Sequence, residues 1–122
     1  MSLFEQIGGE AGVQRLVDAF YGHMQTDPVV FPLLAVHEDL QRARERLFEF
    51  LVGWSGGPPL YVSKHGHPRL RARHLHVAID TDMAAMWMRC MDRALDETVA
   101  DAHARAVLHT NLAGLADHMR NQ

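Results

Sequence analysis

The chain lacks most of what would mark a secreted, membrane-bound or nucleic-acid-binding protein. It has a single cysteine, Cys90, so no internal disulfide can form and a reducing compartment suits it. Its start, Met1-Ser2-Leu3-Phe4-Glu5, has no basic region followed by an apolar run, so no secretory leader is expected. No apolar run approaches the roughly 20 residues needed to cross a bilayer. Twelve Lys/Arg against fifteen Asp/Glu give a net charge of −3, without the basic excess of a general nucleic-acid binder. Internal repeats, low-complexity tracts and sustained two-residue alternation are also missing, and the last of these argues against a sheet. What remains is one domain, residues 1–122, large enough for a core of its own and expected in the cytoplasm.

The most informative absence is local. No acidic side chain occurs between Glu49 and Asp80. Within that gap, Lys64 to His76 holds four of the nine histidines and four of the twelve Lys/Arg residues. Neutral imidazole is the commonest protein ligand for a transition metal, and guanidinium groups grip carboxylates or phosphates in pairs of hydrogen bonds. Histidine among arginines therefore suggests a metal that arrives with anionic groups of its own. Haem, an iron centre with two propionates, fits. A zinc site from His65, His67, His74 and His76 has ligand number in its favour, but no cysteine or carboxylate stands near to complete it. A haem-free helical module binding a metal or an anion stays open on these residues alone.

The rest of the chain reads as helix. Ser2 and Glu5 have capping-box spacing ahead of a short helix that Gly8-Gly9 stops. A second helix spans about Ala11 to Gln25, with Val13, Leu16, Val17, Phe20 and Met24 on one face and Tyr21 beside them. Thr26-Asp27-Pro28 breaks it, and Val29 to Val36 reads as a turn of helix plus a corner ending at His37. Asp39 caps a long helix whose stripe is Leu40, Ala43, Leu47, Phe50, Leu51 and Trp54, with Arg42, Arg44, Glu45 and Glu49 on other faces. Gly56-Gly57-Pro58-Pro59 ends it. An irregular connection over Leu60 to Pro68 leads to a short basic helix at about Arg69 to Leu75. Asp80 or Asp82 caps a segment carrying Met83, Met86, Trp87, Cys90, Met91, Ala94 and Leu95. The last helix, about Val99 to Asn121, buries Val107, Leu108, Leu112, Leu115 and Met119. The expected class is all-α.

Four stretches, in order, carry a resemblance. Phe20-Tyr21, Gly56-Gly57-Pro58 with Tyr61, the string Gly66-His67-Pro68-Arg69-Leu70-Arg71-Ala72-Arg73-His74, and Trp87-Met88-Arg89-Cys90-Met91 together resemble a truncated haemoglobin of the second group. The resemblance covers nearly the whole chain. It implies a two-over-two helical sandwich around haem b and assigns roles by position. His74 matches the proximal histidine, the single protein bond to iron. Tyr21 and Trp87 match the distal tyrosine and the group-defining tryptophan, donors toward a bound diatomic molecule. Ala43 matches the small residue at the distal gate, with Leu47 walling the pocket one turn on. Arg46 and Arg73 fall where propionate partners stand. Phe50, Trp54, Tyr61, Leu70 and Met86 line the pocket or pack behind it, and His67 and Val77 flank the proximal ligand.

The chain departs from that family twice. His76 and Val77 stand where Pro-Phe usually follows the proximal ligand, which predicts a looser proximal side. The corner before the long third helix is one residue short, and His37 is the best match to the polar or aromatic residue expected there. The implied function is binding of dioxygen, with nitric oxide, carbon monoxide and peroxide as further ligands. Two or three distal donors slow ligand escape, which suits sensing, scavenging or redox chemistry better than bulk oxygen delivery. A peroxidase or nitric-oxide dioxygenase is the enzymatic alternative, and it needs a separate reductase because no flavin or nicotinamide domain is visible. Monomer and homodimer are both compatible with the sequence.

Overall fold

The structure, a computed structural model, describes residues 1–122. Side-chain caps set where the helices begin. The Ser2 hydroxyl accepts from the Glu5 amide at 3.1 Å and opens α1, Leu3–Ile7. The turn at Gly8, with φ +111°, passes directly into α2, Gly9–Thr26. Asp27 caps a 3-10 turn at Pro28–Val30, which runs into α3, Phe31–Ala35. Asp39 accepts from the Arg42 amide at 3.0 Å and starts α4, Leu40–Trp54. Two short helices follow, α5 at Leu60–His65 and α6 at Leu70–Arg73. Asp80 accepts from the Met83 amide at 2.8 Å to begin α7, Thr81–Thr98, and Asp101 from the Ala104 amide at 3.0 Å to begin α8, Ala102–His118. Each of these oxygens satisfies a donor that the first turn leaves orphaned.

The long helices pack as two pairs, α2 with α4 and α7 with α8, joined where α2 lies along α7. The chain is all-α, as its periodicity predicts. The predicted stripe of α2 is the centre of the core: Val13, Leu16, Val17, Phe20 and Met24 are all buried. Cys90, Met91, Ala94 and Leu95 of α7 and Leu108 and Leu112 of α8 complete it. The thiol of Cys90 is free and sealed in that core. Burial is uneven along α7. Its second half is core, whereas Met83, Met86 and Trp87 in its first half are only partly covered. The stripe of α4 divides similarly: Leu51 is buried, while Leu40, Ala43, Leu47, Phe50 and Trp54 are half-buried. Apolar faces of α4 and of the first half of α7 thus remain incompletely covered.

Four expectations need correction. Leu60 to His65 is helix, not irregular connection, because Tyr61 is buried against α4 and the Ser63 amide bonds to the carbonyl of Pro59. Glu49 is not on a solvent face but is 6% exposed, held by Lys64 at 2.8 Å and His65 at 3.2 Å. The basic helix is shorter than predicted and ends at Arg73, with His74 as its cap. The last helix starts after Asp101 and stops at His118, so Val99 closes α7 and Asn121 lies beyond α8.

Candidate functional site

On the side of α6 the backbone is tightly turned. Gly66 has φ +77°, and Arg69 is the one non-glycine residue with positive φ, at +44°. Its amide donates to His67 Nδ1 at 3.0 Å, so exposed His67 serves that turn. The reversal starts α6, and one turn later His74 caps it, its backbone N–H bonding to the carbonyls of Leu70 and Arg71, both at 3.2 Å. The imidazole turns back along the helix as well, with Nδ1 2.6 Å from the Leu70 carbonyl oxygen. A carbonyl only accepts, so Nδ1 carries the proton and Nε2 keeps its lone pair. His74 is therefore half-buried with one nitrogen fixed and the other free for a metal. His76 is exposed and Val77 half-buried.

The residues expected on the distal side lie on α2, on α7 and in the corner after α3. Tyr21 is 4% exposed. Phe20 stands between it and Trp87: its ring meets Tyr21 edge-on at 4.9 Å and Trp87 at 5.1 Å. His37 sits edge-on to Tyr21 at 6.2 Å, and its Nδ1 donates to the Leu33 carbonyl at 2.8 Å, again leaving Nε2 free. The short corner therefore still brings His37 beside Tyr21. On the other side the Arg44 guanidinium lies 5.7 Å from the centre of the Tyr21 ring, held by Asp18 at 2.8 Å, which also accepts from Gln14 at 3.0 Å. Burial drives the Tyr21 phenol well above its usual range, opposed only in part by the charge on Arg44. Tyr21 is thus a donor at every ordinary pH.

The remaining predicted residues fall into two groups. Ala43, Leu47, Phe50, Leu70 and Met86 are each half-buried and present apolar surface. Tyr61 is buried between Phe50 at 6.4 Å and His65 at 4.8 Å, with the Arg73 guanidinium 5.8 Å over its ring. Arg73 also donates to the His65 carbonyl at 3.5 Å. Arg46 is half-buried in a hollow lined by Arg42, Arg44 and Lys64 and equally by the carboxylates of Asp39, Glu45 and Glu49. The four histidines of the basic stretch do not gather: no group of three or more His, Cys, Asp or Glu side chains is placed to hold a metal ion. A zinc cage is therefore not what the fold builds.

Sequence reasoning missed Asp18, Arg44 and Asn121. The first two look like ordinary surface charges of amphipathic helices, and nothing in their spacing announces that the pair sets a guanidinium over a tyrosine ring. Asn121 carries no local pattern at all.

Apolar surface, one half-buried imidazole with a free lone pair and a basic border suit a flat apolar group with a metal centre and anionic edges. The donors of Tyr21 and Trp87 suit a small polar ligand, with the His37 ring beside Tyr21. The sequence pattern of the family described as bacterial-like globin matches residues 2–121. A group 2 truncated haemoglobin of Bacillus subtilis (strain 168) is 39% identical over 119 residues, covering 98% of this chain and 88% of that one. Among solved structures, a cold-adapted truncated haemoglobin from Pseudoalteromonas haloplanktis TAC125 is 45% identical with a TM-score of 0.97, covering 100% of this chain and 99% of that one. A truncated oxygen-avid haemoglobin from Bacillus subtilis is 37% identical with a TM-score of 0.88, over 99% and 100% of the two chains.

Proposed function

This chain belongs to the bacterial-like globin family and, within it, to the group II truncated haemoglobins; on that premise we propose that it binds haem b through His74 and retains dioxygen among Tyr21, Trp87 and His37. Haem in this site supplies an iron that takes diatomic ligands and shifts electron density onto them. The observation that carries the reading is the His74 ring, whose Nδ1 is committed to the Leu70 carbonyl at 2.6 Å and whose Nε2 is left as a ligand atom. That hydrogen bond also fixes the ring plane and raises the basicity of Nε2. Ala43, Leu47, Phe50, Leu70, Val77 and Met86 supply the apolar contacts. Arg46 and Arg73, with His67 at the rim, supply positive charge for propionates. Arg73 gives up little to do so, since its bond to the His65 carbonyl is long at 3.5 Å.

On the distal side the protein's task is to meet developing negative charge with fixed donors. Tyr21 stays protonated, Trp87 has only a donor to offer, and Phe20 between them holds their spacing. Hydrogen bonds of this kind contribute about 1 kcal/mol each, and more to a charged acceptor. Two of them slow dioxygen escape by roughly 30-fold or more, since about 1.4 kcal/mol is tenfold. They favour dioxygen over carbon monoxide, which gathers less charge. The Bacillus subtilis relative described as oxygen-avid supports the same direction. Slow escape suits sensing, scavenging or redox chemistry with nitric oxide or peroxide, the last served by an unidentified reductase.

The test is a visible spectrum of the haem-reconstituted protein followed by the dioxygen dissociation rate of its ferrous form. An intense Soret band and slow escape are expected. Absence of the band would remove the haem reading, and fast escape with the band present would remove the retention reading alone. Rapid turnover of peroxide or nitric oxide with a defined reductant would favour the enzyme.

A further inference from the structure

The five residues after His74 form no helix, and no proline stiffens them. Two backbone N–H groups of Leu75–Ile79 bond back to the preceding turn, Leu75 to the Ala72 carbonyl at 3.4 Å and Val77 to the His74 carbonyl at 3.0 Å. The rest of its hydrogen bonding comes from beyond the far end of α8. The Asn121 side-chain amide donates to the Val77 carbonyl at 2.8 Å and, at longer range, to the His74 carbonyl at 3.4 Å. Its oxygen accepts from the Ile79 amide at 2.9 Å. The backbone amides of Asn121 and Gln122 both donate to the Ile79 carbonyl, at 2.9 and 3.2 Å. Asn121 is half-buried, and the residue it grips most fully, Ile79, is buried.

We propose that Asn121 is a positioning residue for His74: it ties the segment carrying the ligand to α8, and so sets how firmly and in what plane the imidazole is presented. The proposal rests on the haem reading of the site. Only an amide side chain meets the demand, because the site asks for donation to carbonyls on one side and acceptance from an N–H on the other. Aspartate has the same shape but no donor at neutral pH, and its charge would face the Val77 and His74 carbonyls. The fastening works because α8 itself is rigid, with Leu108, Leu112 and Ala116 buried in the core. Motion of the 75–79 backbone that would otherwise reach the His74 carbonyl is stopped at Val77 and Ile79. Sequence separation is large, 42 residues for the Ile79 contact and 47 for His74. The contact is therefore tertiary and forms only when α8 has docked.

Asn121→Ala and Asn121→Asp test this in the full chain, with the far-ultraviolet spectrum and thermal midpoint as folding controls. Three readouts are compared with the unsubstituted protein: transfer of haem to an excess of an apoglobin acceptor, the iron–histidine stretching band of the ferrous protein, and amide exchange at Ile79 in the haem-free protein. Both variants should release haem about tenfold faster, shift or broaden the stretching band, and exchange the Ile79 proton at least tenfold faster. Amides in the middle of α7 should be unaffected. Unchanged haem release and an unchanged stretching band in either folded variant would overturn the proposal, leaving Asn121 as a fastening of the C-terminus only. If the unsubstituted protein takes up no haem, the reading of the site fails and the proposal falls with it. That outcome is distinct, because it appears before any substitution is made.

Discussion

At His74 a single ring carries two separable duties. Nδ1 ties the ring to the Leu70 carbonyl, and Nε2 is left free as the ligand atom we propose. Replacing it by glycine leaves the backbone cap of α6 intact while deleting the ligand. His74→Gly is therefore expected to fold, to lose stable haem, and to regain a Soret band when imidazole is added. The same substitution at exposed His76 should leave the spectrum unaltered, and the reverse result would move the ligand to His76. Tyr21 and Trp87 both contact Phe20, and in the proposed function they donate to the same small ligand. Tyr21→Phe and Trp87→Phe should each raise the dioxygen dissociation rate about five- to tenfold. The double variant should fall short of the product of the two, because donors that share an acceptor couple. Strict multiplicativity in stopped-flow release would show two independent sites of action.

Within α2, two glycines show how one helix serves two neighbours. At Gly12 an added Cβ would stand 2.1 Å from the Ile7 carbonyl oxygen and 2.6 Å from its carbonyl carbon. That contact is backbone, which no rotamer change relieves, and it is where α1 folds back against α2. Gly12→Ala should cost about 3 kcal/mol, the upper part of the overpacking range, read from denaturant midpoints. Gly22, also inside α2, has nothing within 4 Å of its Cβ position. Gly22→Ala should stabilise the protein by up to about 1 kcal/mol, the helix-propensity gain alone. If Gly12→Ala stabilised the protein as well, the close docking of α1 would be wrong. Helix starts at Ser2, Asp39 and Asp80 were legible because each is a short-range side-chain event. Helix α5 was hidden because Pro58-Pro59 precede it, Gly66 follows it, and no side chain caps its start. The burial of Glu49 was hidden too, since its partners Lys64 and His65 come from that same unrecognised helix.

For the whole molecule, acid is the sensitive direction. Asp27 is held below its ordinary range chiefly by its hydrogen bond to Arg89, Asp18 by its bond to Arg44, and Asp101 by the Ala104 amide. At Glu49 burial alone would raise the carboxyl, but Lys64 and His65 outweigh it and the net direction is down. A carboxylate with a depressed folded pKa binds protons less readily folded than unfolded. Its contribution is complete above the unfolded values, 3.8 for Asp and 4.5 for Glu, and is lost as pH falls through and below them. The unfolding midpoint should therefore drop steeply from about pH 4.5 downward, and Asp27→Asn should flatten that limb; an unaltered limb would mean that the Arg89 pair contributes nothing. Of the site at this scale, the sequence motif marks His74, Tyr21 and Trp87, residues whose identity is local to a short string. Arg44 over Tyr21 and Asn121 against Ile79 join positions 23 and 42 residues apart, and only the assembled helix pairs reveal them.

One consequence follows from the sealed thiol between the helix pairs. Cys90 is 1% exposed, and burial, with the charge of Asp27 adding to it, pushes its thiol pKa up to about 11. At neutral pH only about one molecule in ten thousand would carry the reactive thiolate, and that one is shielded by the core. An alkylating dye can therefore reach Cys90 only while the core around α7 stands open. The rate of labelling then counts those openings one by one, so that the protein's lone sulfhydryl keeps time for its own breathing.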